Sequence, residues 1–176
     1  MRRELTREAL RELMQELART APPERSLRVY FVGGGTAVQA GWRIATIDAD
    51  LHADDEAVFR DVQGVKKRLD LNIELVRPEH FVPPLEGSGD RHVFVDRLGN
   101  IEYFHYDPYA QLLSKIVRGF RMDLMDAESF VTSRMVDPQR FLLLVKNVPD
   151  SAYARYPNLS RAAVEEAVED FLTSLE

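Results

Sequence analysis

The feature that most constrains the fold is an apolar run that ends abruptly in three consecutive glycines. Leu27–Val32 is an apolar, β-branched and aromatic run interrupted by one arginine, and residues 33–35 are all glycine. A short apolar run bounded by glycine predicts a buried strand, and the residues after it predict a short helix over 36–41. The chain must therefore turn sharply from a strand into a helix at the glycines.

Two aspartates follow this turn on a second predicted strand, residues 47–51. Asp48 and Asp50 are two residues apart, so their carboxylates can project side by side from one face. Such carboxylates repel each other unless a divalent cation holds them, and Mg²⁺ is typically bound by one or two carboxylates together with substrate phosphates. Glycines at a helix start expose backbone N–H groups, which favour phosphate. The combination suggests phosphoryl or nucleotidyl transfer.

Each half of this pattern also has a simpler explanation. The glycines alone are typical of a tight strand-to-helix turn, and the aspartates alone of an exposed strand end. No Gly-Lys-Ser/Thr follows the glycines, so they do not form a P-loop, and Val38 stands where the dinucleotide pattern Gly-x-Gly-x-x-Gly needs its third glycine. Only the spacing of the two halves favours a functional site.

The composition of the chain favours a globular protein without disulfides or membrane helices. The chain has 176 residues, of which 45% are hydrophobic and 30% charged, and this suits one domain or a domain with a small helical appendage. No apolar run approaches the roughly 20 residues of a membrane helix, and no signal-peptide core follows the N-terminus. The absence of cysteine excludes disulfides and thiol-based sites and is compatible with the cytoplasm. The net charge of −6 does not indicate a nucleic-acid-binding domain, although a local basic patch could serve.

The periodicity along the chain predicts an α+β fold, in which a small mixed sheet is flanked by helices and followed by a helical C-terminal part. The other expected elements are helices over 7–19 and from about 54 to 70, a strand over 72–76, a hairpin of 91–95 and 101–106, and helices over 108–121, 123–134, 138–147 and 160–174. We therefore expect a core of residues 1–107, including the N-terminal helix, and a helical part of residues 108–176 packed on it.

Glu74 is the candidate third acid. It lies on a predicted strand between the apolar residues Ile73 and Leu75 and points to the opposite side from them. A charged side chain on so apolar a strand needs a partner, a metal or solvent. If this strand pairs beside the one that carries the two aspartates, Glu74 completes a three-carboxylate site. An exposed edge position is the alternative.

Basic residues supply candidate contacts to an anionic ligand. Lys115 and Arg118 are neighbours on the polar side of a predicted helix, and two aspartates follow at the start of the next helix. They could grip a triphosphate or balance the acids, whereas an ordinary salt-bridged helix pair is the alternative. Arg43 and Thr46 lie between the glycines and the acids, where a phosphate or base contact can form.

In this order, the residues resemble the nucleotidyltransferase superfamily, whose signature is Gly-Gly/Ser followed at a short distance by Asp-x-Asp. Here the signature is Gly33-Gly34, or Gly34-Gly35, with Asp48-Ala49-Asp50. Within that superfamily the chain most resembles the small bacterial and archaeal proteins of the DUF6036 and AbiEii type, and next the minimal nucleotidyltransferase toxins. The resemblance extends roughly over residues 29–141 and implies a nucleotidyltransferase-type sheet.

The resemblance also implies a reaction. The chain would move an NMP from an NTP to a hydroxyl acceptor, an RNA end such as that of a tRNA or a protein, with Mg²⁺ or Mn²⁺ as cofactor. Asp48, Asp50 and Glu74 would be the catalytic metal ligands. Glu74 departs from the pattern, since many relatives have an aspartate there. The candidate nucleotide-binding residues are Gly33, Gly34, Gly35, Thr36, Arg43, Thr46, Lys115 and Arg118.

Two biological interpretations follow from the resemblance. In the first, the chain is the toxin of a toxin–antitoxin or phage-defence pair and has a cognate antitoxin as partner. In the second, it keeps the nucleotidyltransferase fold but only binds a nucleotide or a partner protein, without chemistry. Neither interpretation involves a membrane.

Overall fold

A computed structural model describes residues 1–176 and confirms the α+β class, with eight α-helices, a five-stranded mixed sheet and a two-stranded sheet. The chain divides into two compact units. The sheet unit comprises Met1–Arg77 and Val93–Tyr106, and the helical unit comprises Pro78–His92 and Asp107–Glu176. The last change from one unit to the other, between residues 106 and 107, lies at the expected boundary, but the segment 78–92 groups with the helical unit rather than with the first part of the chain.

The sheet unit carries seven strands and three α-helices. In chain order they are β1 Leu5–Thr6, α1 Arg7–Thr20, β2 Leu27–Val32, α2 Gly34–Ala40, β3 Ala45–Thr46, β4 Asp48–Ala53, α3 Val62–Leu69, β5 Asn72–Leu75, β6 Val93–Leu98 and β7 Ile101–His105. The main sheet has the order β5-β4-β2-β7-β6, with β2 antiparallel to β4 and parallel to β7. The strands β4 and β5 are parallel, whereas β6 and β7 form an antiparallel hairpin.

Helices α1 and α3 help to bury one face of this sheet. The α1 stripe of Leu10, Leu13 and Leu17 is buried in the same hydrophobic cluster as Phe31 of β2 and Tyr103 of β7. Burial of such side chains contributes about 1.5–3 kcal/mol each to folding. The helix begins where the Thr6 hydroxyl accepts the Ala9 N–H at 3.1 Å, as its sequence predicts.

The local pattern did not reveal every element. The single helix expected from about residue 54 to residue 70 is a 3₁₀ segment, Glu56–Phe59, followed by α3. The two-stranded sheet of β1 and β3 was not expected, because two residues per strand are too few to show a period. The helix α2 begins at Gly34, two residues before its expected start.

The helical unit contains five helices, and no helix of the chain is both long and apolar enough to cross a membrane. The five are α4 Pro108–Arg118, α5 Arg121–Thr132, α6 Pro138–Lys146, α7 Asp150–Tyr153 and α8 Arg161–Ser174. Side chains of Asp107, Asp137 and Ser160 accept backbone N–H groups at the starts of α4, α6 and α8, and so satisfy donors that have no partner within the helix.

Candidate functional site

The turn after β2 depends on a glycine. Gly33 has φ 58° and ψ −125°, a conformation that residues with a side chain rarely adopt. Its neighbour across the sheet is Asp50, because Asp50 pairs with Val32 at the end of β2. A Cβ atom on Gly33 would lie 3.0 Å from Oδ2 of Asp50. The turn therefore lets the Asp50 carboxylate lie directly against the backbone.

The next glycine is required for packing. A Cβ atom on Gly34 would lie 2.8 Å from Cβ of Thr46 and 3.0 Å from its Cγ2. Atoms at the base of a side chain cannot rotate away, so the start of α2 can approach β3 this closely only without a side chain. Thr46, a candidate for ligand contact, thus also has a packing role against the glycine turn.

Replacing Gly34 by alanine is expected to lower the free energy of unfolding by about 1–3 kcal/mol, because the new methyl group overpacks against Thr46. Gly35→Ala is the matched control. The nearest atoms to a Cβ at Gly35 lie at 3.7 Å and 3.8 Å, which is ordinary contact, so this variant should be at least as stable as the parent. Urea unfolding measures both. Equal stability of the two variants would contradict the packing role of Gly34.

The acids lie on one face of β4. Along this strand Asp48 and Asp50 are half-buried, whereas Ala49 and Leu51 between them are buried in the hydrophobic cluster. The two carboxylates therefore share a face, as strand alternation requires. This is the face opposite to the one that packs against α1 and α3.

The third acid lies beside them. β5 is parallel to β4, and Glu74 pairs with Asp50 while Asn72 pairs with Asp48. The Asn72 amide donates from Nδ2 to Oδ1 of Asp48 at 2.5 Å and to Oε1 of Glu74 at 3.3 Å. Neither Asp48 nor Glu74 forms an ion pair with a basic side chain. Two carboxylates on neighbouring strands thus converge on one neutral amide.

Asn72 is a site residue that the sequence reasoning missed. Its position two residues before Glu74 puts it on the same face of the same strand, and that spacing was the available signal. The neighbouring Leu75 was expected to point into the core with Ile73, but its side chain is 41% exposed whereas Ile73 is buried. The burial alternation of β5 therefore ends at Glu74.

The donor set suits a hard divalent cation, although the side chains do not converge into a three-ligand cluster. No three histidine, aspartate or glutamate side chains lie close enough together to hold a metal ion. The Asn72 amide takes the place between Asp48 and Glu74, and the Asp50 carboxylate lies against Gly33. Carboxylate and amide carbonyl oxygens are nevertheless the ligands that hard cations select. These residues fit Mg²⁺ by chemistry: the carboxylates of Asp48, Asp50 and Glu74 would hold the cation, which would supply positive charge at the site.

Thr36, a candidate phosphate contact, points into the protein. Its side chain is fully buried, and its hydroxyl donates to the Phe31 carbonyl oxygen at 3.1 Å. The hydroxyl has one proton, so its oxygen accepts from Nδ1 of His105, 3.2 Å away. Burial lowers the pKa of His105 to about 4, and the ring is therefore neutral near pH 7. The side chain of Thr36 supports the turn from within and does not face a ligand.

Lys115 lies in the helical unit as one member of a buried ion-pair cluster. Its Nζ lies 2.7 Å from Oδ2 of Asp126 and 3.6 Å from Oδ1 of Asp123, and all three side chains are buried. Arg118 is half exposed and lies 3.3 Å from Asp123. This arrangement is the salt-bridged helix pair considered as the alternative, here formed between α4 and α5.

Arg43 lies between α2 and β3, where its backbone N–H donates to the Ala37 carbonyl oxygen at 3.2 Å. Its half-buried position leaves part of the side chain at the surface of the sheet unit. Of the residues proposed to contact a nucleotide, the sheet unit thus holds the three glycines, Thr36, Arg43 and Thr46, and the helical unit holds the two basic residues of α4.

Comparison with known proteins adds no assignment: no family model, no curated protein and no solved structure matches this chain. What the fold and the site define is an α+β chain whose mixed sheet carries a glycine turn beside three acidic side chains.

Proposed function

We propose that the chain is a Mg²⁺-dependent nucleotidyltransferase that moves an NMP from an NTP to a hydroxyl group on an RNA end or a protein. One observation carries the proposal: Asp48 and Glu74 converge on a neutral amide next to Asp50, which itself lies against the Gly33 backbone. The carboxylates of Asp48 and Glu74, which form no ion pair with a basic side chain, lie near a turn built of glycines, and a cation together with a phosphate group requires such an arrangement.

In this reaction the acceptor hydroxyl oxygen forms a bond to the α-phosphorus of the NTP. The bond from that phosphorus to the bridging oxygen breaks, pyrophosphate leaves, and the hydroxyl proton passes to water or a carboxylate. A bound divalent cation supplies charge stabilisation to the attacking and leaving oxygens. The chain's own contribution is to hold Asp48, Asp50 and Glu74 on two paired strands. The three carboxylates are then already in place when the substrates bind, and no conformational entropy is lost in ordering their backbone.

Lys115 and Thr36 have no part in the proposed reaction. Lys115 is already neutralised by Asp126 and Asp123, and the hydroxyl of Thr36 is used inside the protein. The glycine turn, Arg43 and Thr46 remain the proposed nucleotide contacts. A nucleotidyltransferase of this kind would act in the cytoplasm, where NTPs are available. The proposed role as a toxin with a cognate antitoxin rests on the sequence resemblance alone.

The test is transfer of label. The purified chain is incubated with each α-labelled NTP in turn, with Mg²⁺ or Mn²⁺, in the presence and absence of total cellular RNA. We expect label in RNA or in protein that depends on one NTP and disappears when the cation is chelated. Absence of label with every NTP and both cations would refute the enzymatic proposal.

A second function is favoured by one feature of the same site, namely that the Asn72 amide occupies the place between the two carboxylates. In this alternative the chain binds a nucleotide or partner without chemistry. Calorimetry with each NTP and Mg²⁺ distinguishes the two only together with the transfer assay, since both functions involve binding. Saturable binding without any transfer supports the binding function, whereas binding with transfer supports the enzyme.

A further inference from the structure

An apolar groove lies on the helical unit, and none of the proposed metal ligands lines it. It consists of two adjoining cavities of about 940 Å³ and 800 Å³, formed mainly by α5, α6 and α8. Val131 and Leu175 line both cavities and so join them. The apolar lining includes Leu124 and Phe171 in the first cavity and Leu142 in the second.

The apolar side chains of α5 at this groove are unusually exposed. Leu124 is 40% exposed and Met125 is 54% exposed, and Met122, one turn earlier on the helix, is 50% exposed. Leu124 and Met125 thus present apolar surface to water at the groove, and burial against a partner would remove it from water. Methionine side chains are flexible and polarisable, and they are common on surfaces that receive apolar faces of helices.

Acidic residues surround the groove. Arg121 is the one basic residue in its lining, whereas the lining holds five acids, Glu128, Asp137, Glu169, Asp170 and Glu176. Of these acids, Glu169 is paired with Lys146 at 3.2 Å. The lining of the groove therefore combines apolar side chains with an excess of negative charge, in a chain whose net charge is −6.

We propose that this groove, which we call the α5–α8 groove, binds a basic amphipathic helix of a partner protein. An amphipathic helix lays its apolar face into an elongated groove through residues at i, i+3, i+4 and i+7. Lysine or arginine residues beside that face would meet the acids along the groove, which speeds encounter and sets the orientation. A second copy of this chain fits less well, because a two-fold contact would place the acidic sides of one groove against those of the other.

The probe for the test is a synthetic helical peptide of about 18 residues, with leucine at the helix-spaced positions and lysine elsewhere. A scrambled peptide of the same composition and a peptide with glutamate in place of lysine are the controls. The full chain, labelled with ¹³C at its methionine methyl groups, is titrated and followed by NMR. We expect the lysine peptide, and neither control peptide, to shift the Met122 and Met125 signals in a saturable way. The signal of Met14, which is buried in the sheet unit, should not shift.

A charge-reversal pair separates a specific groove from general attraction to an acidic protein. Glu128→Lys with Asp170→Lys is expected to weaken binding of the lysine peptide at least about tenfold. The matched control is Glu24→Lys with Glu56→Lys, which changes net charge equally at exposed positions of the sheet unit and should leave affinity near that of the parent. Equal weakening by both pairs, equal binding of the scrambled peptide, or no binding at all would each overturn the proposal. The proposal would also be overturned if sedimentation showed the parent chain as a dimer and the variant Met125→Lys as a monomer.

Discussion

Replacing Asp48 by alanine is expected to reduce nucleotidyl transfer by about a hundredfold or more while the chain remains folded. Asp48 lies half-buried on β4, and its interactions are a hydrogen bond from Asn72 and backbone pairing in the sheet. Alanine keeps the strand pairing but removes one of the carboxylates that would hold the cation. The measurement is the rate of label transfer, with circular dichroism as a check that the fold is retained.

Cation binding provides a readout that is separate from the reaction. A ligand that binds only the folded state raises the thermal midpoint, so Mn²⁺ should stabilise the parent chain and stabilise Asp48→Ala much less. Asp96→Ala is the matched control, since this exposed aspartate lies on β6 and accepts only the N–H of its neighbour Arg97. It should transfer label and respond to Mn²⁺ as the parent does. If Asp48→Ala transferred label at the parental rate, the assignment of the site would be wrong.

The largest expected effect on stability comes from removal of the Asp107 carboxylate. Asp107→Ala should lower the free energy of unfolding by about 3–5 kcal/mol. Arg91 donates to this carboxylate through Nε at 3.1 Å and Nη2 at 2.7 Å, and the two side chains are 7% and 0% exposed. Alanine would leave the guanidinium buried without its partner, and the Tyr109 N–H at the start of α4 would lose its acceptor. Urea unfolding followed by circular dichroism measures the change.

Two further variants distinguish the effect of burying the ion pair from the effect of losing a charge. Asp150 also pairs with an arginine, Arg161, at 2.7 Å, but its side chain is 92% exposed, so Asp150→Ala should unfold close to the parent. Replacing both members of the buried pair, as Arg91→Met with Asp107→Leu, should recover much of the loss, because no charge is then buried alone. A loss in Asp107→Ala no greater than that in Asp150→Ala would contradict the buried pair's role.

Much of the sheet unit could be predicted because its signals are local. The apolar run of β2 coincides with the observed strand Leu27–Val32, and the spaced leucines of α1 coincide with its buried stripe. The alternation that places Asp48 and Asp50 on one face needs only the period of a strand. The glycine after β2 likewise has a local cause, since the conformation at Gly33 excludes most side chains.

The pairings across the chain could not be predicted in the same way. Whether Glu74 lies beside Asp50 depends on β5 joining β4 in parallel, and the role of Asn72 depends on the register of that pairing. The side chain of Thr36 points inward because its hydroxyl forms hydrogen bonds with the Phe31 carbonyl oxygen and with His105. The histidine lies 69 residues away along the chain. The partners of Lys115 are decided by how α5 packs on α4.

By itself, the sequence determined where most strands and helices form, which face of most of them is apolar, and that glycines and acids lie near one strand end, because these depend on residues within a few positions of each other. Only the tertiary structure decided which polar groups meet. A hydrogen bond or ion pair forms between side chains brought within about 3 Å, and that distance is set by register and helix packing rather than by spacing along the chain. Asn72 between two carboxylates and Arg91 on Asp107 are both results of this second kind.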